Sequence, residues 1–145
     1  MVWTLQPEMG KLVDRMVTTA YQRSILPAAE REVARMRIAQ LNACDACATF
    51  RAPSVLEAGV TEDAYEHLAD YPTYAGYTQR QRLAIEFAER FAADHHGIDD
   101  ELMARLRVEF IDAEVLDLTM CCAVFVGLGR ALEVLGITDS CPLDI

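Results

Sequence analysis

Basic charge is what this chain has least of: it holds a single lysine, Lys11, and its formal net charge is −10. No cluster of Lys and Arg offsets that balance. A surface so negative repels phosphate backbones and anionic lipid, so neither nucleic acid nor a membrane surface is an expected partner. Proline and glycine are scarce, at five and seven residues out of 145, and the apolar–polar alternation of half-buried strands is hard to find. Long hydrophobic runs are missing too. The longest nearly uncharged apolar stretch, 118–129, is shorter than the roughly 20 residues a membrane helix needs and reads as a buried core helix. The opening Met1-Val2-Trp3-Thr4-Leu5-Gln6-Pro7-Glu8 lacks the basic-then-apolar order of a secretory signal. The cysteines, at 44, 47, 121, 122 and 141, form an odd set unlike a secreted disulfide framework. A reducing cytoplasm is the expected compartment.

What is present is globular: 52% of residues are apolar and 25% charged, a balance that supports a packed core and argues against disorder. The length suits one domain, 1–145. The patterns predict an all-α, compact helical domain of about six to seven helices. The first covers 8–24, with Met9, Leu12, Val13 and Met16 at helical spacing. Pro27 suits the first turn of a second, which carries Val33, Met36, Ile38 and Leu41 with Glu30, Arg31, Glu32, Arg35 and Arg37 between them. Cys44 opens a short third helix, and Pro53 forces a kink or restart near 51–54. Gly59 suits a C-terminal cap and Thr61 an N-cap. Thr78-Gln79-Arg80-Gln81 is a capping box, followed by an apolar stripe of Ala84, Phe87, Ala88, Phe91 and Ala92 to about His95, with Gly97 ending that helix. Asp99 and Asp112 each suit a further cap. The last helix, 113–135, is the longest and most apolar, and Gly136 terminates it.

The chemically loaded segment is Asn42-Ala43-Cys44-Asp45-Ala46-Cys47-Ala48-Thr49-Phe50-Arg51. Residues three apart share a helix face, within the Cα separation of roughly 4.4–6.8 Å that a disulfide requires. Cys44, at the helix start, meets free backbone N–H groups that stabilise a thiolate. The Arg51 cation lies one turn beyond Cys47, and Asp45 pushes the other way. From spacing alone three uses stay open: reversible oxidation, two small buried apolar residues, or half of a zinc site. Zinc would want a second ligand pair, and neither His95-His96 nor Cys121-Cys122 has the usual spacing.

Longer stretches carry a resemblance. The run from Glu30-Arg31-Glu32 through Cys44-Asp45-Ala46-Cys47, the order Tyr77-Thr78-Gln79-Arg80-Gln81-Arg82-Leu83-Ala84, and the final helix with Gly129-Arg130-Ala131-Leu132 together resemble the alkylhydroperoxidase D-like family of the carboxymuconolactone decarboxylase superfamily. The likeness spans roughly residues 28–137. It implies an all-helical thiol oxidoreductase, a peroxidase of the antioxidant kind, assembled as a homo-oligomer (trimer or hexamer). It would reduce a hydroperoxide or small disulfide substrate and be recycled by an external dithiol donor. By that analogy Cys47 is the peroxidatic thiol, Cys44 the resolving one, and Glu32 the proton-relay glutamate. Position in the helix alone favours Cys44 as the more activated thiol, so the two arguments disagree.

The sequence also departs from the family pattern. Arg51 stands where the family has a relay histidine, and Ala46 replaces the histidine before the second Cys. An arginine cannot act as the base that takes a thiol proton. Arg51 either supports a thiolate electrostatically or pairs with Glu32 and ties two helices together. A redox-sensing or binding module with little catalysis is therefore an alternative. A lactone decarboxylase is a third reading, disfavoured because those relatives need no thiol pair.

The remaining candidates have plainer explanations. His95-His96 suit a helix C-terminus, His67 a solvated face, Cys121 and Cys122 inert burial, and Cys141 a mobile tail. Tyr71, Tyr74 and Tyr77 suit either a substrate entrance or interhelical packing. Gly127-Leu128-Gly129 is no dinucleotide loop, since Leu132 takes the third glycine position; it suits close helix approach. No cofactor and no metal is implied.

Overall fold

The structure, a computed structural model, describes residues 2–137; the expectation for Cys141 lies outside them. Among the described residues there are eight α-helices and no strand. They are α1 (Pro7–Gln22), α2 (Ala28–Leu41), α3 (Asp45–Thr49), α4 (Pro53–Glu57), α5 (Glu62–Glu66), α6 (Gln79–Ala93), α7 (Asp100–Glu109) and α8 (Asp112–Val134). The all-α class expected from the sequence is the one found. The count exceeds six to seven because the stretch after Cys44 forms three separate short helices.

Each break has a local cause. Pro53 occupies the first turn of α4, where its missing N–H costs nothing, after extended backbone at Ala52. Gly59 follows α4 with φ +74°, a left-handed conformation that closes the helix cheaply only for glycine. The capping box forms as expected: Gln81 N–H donates to the Thr78 hydroxyl at 3.1 Å and Thr78 N–H to the Gln81 side chain at 2.8 Å. Asp99 accepts from Leu102 N–H at 2.8 Å.

Several expectations are corrected. α1 stops at Gln22, and Pro27 is the N-cap residue of α2 rather than part of its first turn. Thr61 precedes α5 without a side-chain cap. Asp112 lies inside α8; the cap residue is Ile111, whose N–H donates to Glu114 at 3.1 Å. α6 ends at Ala93, and His95–Gly97 form a separate 3₁₀ turn, so the histidines are exposed beyond the helix and do not cap it.

The central element is α2, which packs against α6 and α8 and touches α3, α4 and α5. Its Val33, Ala34, Met36, Ile38 and Ala39 join Leu83, Ile85, Leu102, Leu106 and Leu118 in one core. Burying each large side chain contributes roughly 1.5–3 kcal/mol. α8, at 23 residues, is long and apolar enough to cross a membrane by length and composition, which corrects the expectation drawn from 118–129. One side of it, from Val115 and Leu118 to Phe125 and Leu132, is core of this domain. Gly129 makes the approach to α2 possible: a Cβ there would lie 2.6 Å from Asn42 Nδ2.

Candidate functional site

The thiol pair sits where α2 turns into α3. Ala43 takes a positive φ of 51°, turning the chain so that Cys44 becomes the N-cap residue of α3. Cys44 and Cys47 are joined by a disulfide with Cα atoms 5.3 Å apart, inside the range that spacing predicted. Cys47 N–H donates to Cys44 Sγ at 3.3 Å. The two sulfurs differ in access. Cys44 is 1% exposed, packed with Ala46, Leu132 and Trp3. Cys47 is half-buried and lines a cavity of about 40 Å³ with Arg35, Tyr21, Phe50, Phe125 and Leu128. That volume holds a few heavy atoms and is otherwise apolar.

Under the pair lies a buried polar network. Glu32 is 0% exposed and Arg35 3%. Arg35 binds the Glu32 carboxylate with two parallel bonds, Nε to Oε2 at 2.8 Å and Nη2 to Oε1 at 2.6 Å. The same guanidinium donates to the Cys47 carbonyl at 2.5 Å and to the Phe50 carbonyl at 3.0 Å. Tyr65 OH donates to Glu32 Oε1 at 2.9 Å. Burial pulls the Arg35 pKa down, but the Glu32 hydrogen bond and nearby charge outweigh it, and the net shift is upward. Burial, with Glu32 adding to it, raises the Tyr65 phenol, so Tyr65 remains a hydrogen-bond donor.

Arg51 does not reach Glu32. It binds Glu62 through Nε and Nη2, both at 2.9 Å, lies 4.2 Å from the Tyr65 ring centroid, and donates to the Ala48 and Phe50 carbonyls at 2.6 and 2.9 Å. The suggestion that Arg51 pairs with Glu32 is thereby corrected: eleven residues on, α5 offers an exposed carboxylate, while Glu32 is sealed behind Arg35. Two guanidiniums thus satisfy the end carbonyls of α3, groups that a five-residue helix leaves open.

Arg35 is the site residue that sequence reasoning missed. The sequence pattern places it among the charges along α2, although its i,i+3 spacing from Glu32 is a readable signal. Arg31 is buried as well, donating to Ser54 at 3.3 Å. The tyrosines form no entrance to the thiol cavity: Tyr74 OH donates to Asp63, Tyr77 OH donates to the Ala64 carbonyl, and Tyr71 packs on the core. His67 stacks on Tyr74 with ring centroids 4.0 Å apart and faces Asp70. Burial pushes the Cys121 thiol up to about 11 and raises Cys122 as well. Among the described residues no group of three or more His, Cys, Asp or Glu gathers as a metal would require.

Fold and site together are those of a small helical protein with a CxxC disulfide at a helix start, over a buried glutamate. The carboxymuconolactone decarboxylase family profile matches residues 7–90, and the chain belongs to that family. It is 32% identical over 95 residues to the uncharacterized protein YnjA of Escherichia coli K12, covering 66% of this chain. The matched region spans 52% of that curated relative, about half its length. The fold is similar, with a TM-score of 0.82 over 99% of this chain and 97% of the other, to the crystal structure of an Agrobacterium tumefaciens protein of unknown function proposed as the antioxidant defence protein AhpD. At 19% identity that likeness concerns the fold.

Proposed function

We propose that this protein is a thiol-dependent oxidoreductase that reduces a hydroperoxide or a small disulfide through Cys44 and Cys47. The observation that carries the reading is the asymmetry of the pair: Cys47 lines the cavity, while Cys44 lies behind it at disulfide distance. The Cys47 thiolate attacks the terminal peroxide oxygen and the O–O bond breaks. The alkoxide takes up a proton and leaves as the alcohol, and Cys47 becomes a sulfenic acid. The Cys44 sulfur then attacks Cys47, forming the disulfide and releasing water. An external dithiol restores both thiols by exchange. In that last step attack falls on accessible Cys47, and Cys44 is the leaving thiolate, favoured by the Cys47 N–H that points at it. The argument from helix position and the argument from family likeness then describe two steps of one cycle.

Free-thiol counting with mass mapping, on reduced protein before and after about one equivalent of hydroperoxide, tests this. A rapid Cys44–Cys47 disulfide, reversed by a dithiol and abolished by Cys47→Ser, is expected. Buried, protonated Cys121 and Cys122 stay unlabelled. Peroxide-dependent turnover that survives Cys47→Ser overturns the reading.

A second reading, a redox-sensing module without turnover, is favoured by one observation: Glu32, Arg35 and Arg51 are all held in ion pairs, with no histidine beside the thiols. Steady turnover with a dithiol donor excludes it. We also propose that the protein works in the cytoplasm and assembles with copies of itself.

A further inference from the structure

We propose that Arg35 is the positioning residue of the thiol pair, setting the ionisation of Cys47 from the helix beneath and using Glu32 as its counter-ion rather than leaving Glu32 to act as a proton acceptor. The inference rests on the thiol reading above. It starts from which groups reach which atoms. The Arg35 guanidinium lies 2.5 Å from the Cys47 carbonyl and 3.0 Å from the Phe50 carbonyl, and it shares the cavity wall with Cys47. Its other donors hold both Glu32 oxygens, and Tyr65 OH takes a further lone pair on Oε1. A carboxylate bound this way has its lone pairs directed at fixed donors, and accepting a thiol proton would break a buried bidentate pair.

The charged and titratable groups around the site are few, and each has a definite place. α1 contributes Tyr21, α2 the Glu32–Arg35 pair, α3 the exposed Asp45, the segment before α4 Arg51, and α5 Tyr65. α8 faces the cavity with uncharged Phe125, Leu128, Gly129 and Leu132 only. Arg51 is paired with Glu62 on the solvent side, as Arg35 is with Glu32. Of the two, only Arg35 donates to the Cys47 carbonyl, Arg51 reaching those of Ala48 and Phe50. Arg35 is therefore the cation fixed to the Cys47 peptide itself. It stabilises the thiolate by charge and by holding that peptide, and the thiol proton leaves to solvent.

The experiment is the pH profile of Cys47 alkylation by iodoacetamide in the reduced full-length protein, read by peptide mass mapping. Arg35→Met is expected to move the midpoint up by about one pH unit, a tenfold slower reaction on the rising limb. Arg35→Lys keeps a cation without the fork and is expected to recover part of that shift. Glu32→Gln leaves the guanidinium uncompensated and is expected to move the midpoint down, giving faster alkylation. Release of the guanidinium charge allows only that direction, so Glu32→Gln moving the midpoint up overturns the proposal. So does an unchanged profile in Arg35→Met. Carbon-13 NMR of glutamate-labelled wild type separates counter-ion from relay, and it decides as well if these variants unfold. A Glu32 carboxyl that takes up a proton as Cys47 loses one overturns the proposal, and a signal indifferent to Cys47 titration supports it. Wild-type protein that forms no reversible Cys44–Cys47 disulfide defeats the thiol reading and this inference with it. A reversible disulfide combined with the wrong sign in Glu32→Gln defeats only the role of Arg35.

Discussion

Three charged side chains between α6 and α7 show how much of this molecule depends on single carboxylates. Glu86 accepts from Arg105 at 2.9 and 2.7 Å and from Arg90 at 2.7 Å. The Arg105 hydrogen bond, opposed by partial burial and aided by the charge of both arginines, lowers the Glu86 pKa from 4.5. A carboxylate with a lowered folded-state pKa contributes stability that is fully present above its unfolded value and lost as pH falls through the folded one. Glu86→Gln is therefore expected to be less stable at pH 7 by about 1 kcal/mol, since both arginines are partly exposed and screened. The gap to wild type should narrow steadily as pH drops below 4.5. Urea midpoints measured at pH 7 and at steps below 4.5 check this; a gap constant with pH would contradict the linkage.

At the scale of elements, the close contact between α2 and α8 depends on having no side chain at 129. Asn42 Nδ2 donates to the Phe125 and Val126 carbonyls, each at 3.3 Å, and Asn42 Oδ1 accepts from Arg130 at 3.1 Å. Gly129→Ala gains up to about 1 kcal/mol of helix propensity. It also drives a Cβ to 2.6 Å from Nδ2 and displaces those bonds. Overpacking costs about 1–3 kcal/mol, so net destabilisation of about 1 kcal/mol is expected in denaturant unfolding. Adding Asn42→Ala should remove the clash term, and a double variant showing no such coupling would place the strain elsewhere. The sequence made this contact legible as a small-residue pair but did not reveal its partner. Local signals carried well: the Thr78 box, the Pro53 restart and the Cys44 helix start each depend on a few neighbouring residues. Pairings across the chain did not. Arg51 finds Glu62 on another helix, and nothing in the spacing distinguishes that from Glu32. The burial of Arg31, Glu32 and Arg35 was also hidden, because α2 is surrounded on nearly every side and its charges must therefore be satisfied inside.

Across the whole molecule, large apolar side chains stand exposed along α1 and α8. Leu5, Met9, Leu12 and Met16 point outward from the first helix and its lead-in, and Leu116 and Met120 from α8, with Leu12 57% and Met120 51% exposed. Two open grooves of about 350 Å³ each run along this seam. A helix as apolar as α8 is normally covered on both sides, and a contiguous apolar face of this kind marks an interaction surface. Anionic lipid is a poor occupant for a chain of net charge −10. A second copy fits better, because it brings a matching apolar face to meet this one. Val17 and Leu128 line both the groove and the Cys47 cavity, so a copy seated there would brace one wall of the site. Light scattering is expected to give a multiple of the single-chain mass, and Met120→Glu or Leu12→Glu to shift it to the single-chain value. Cys44–Cys47 oxidation should persist in those variants, since neither side chain touches the thiols. A wild-type monomer at micromolar concentration, or flotation with neutral phosphatidylcholine vesicles, would instead assign this face to another occupant.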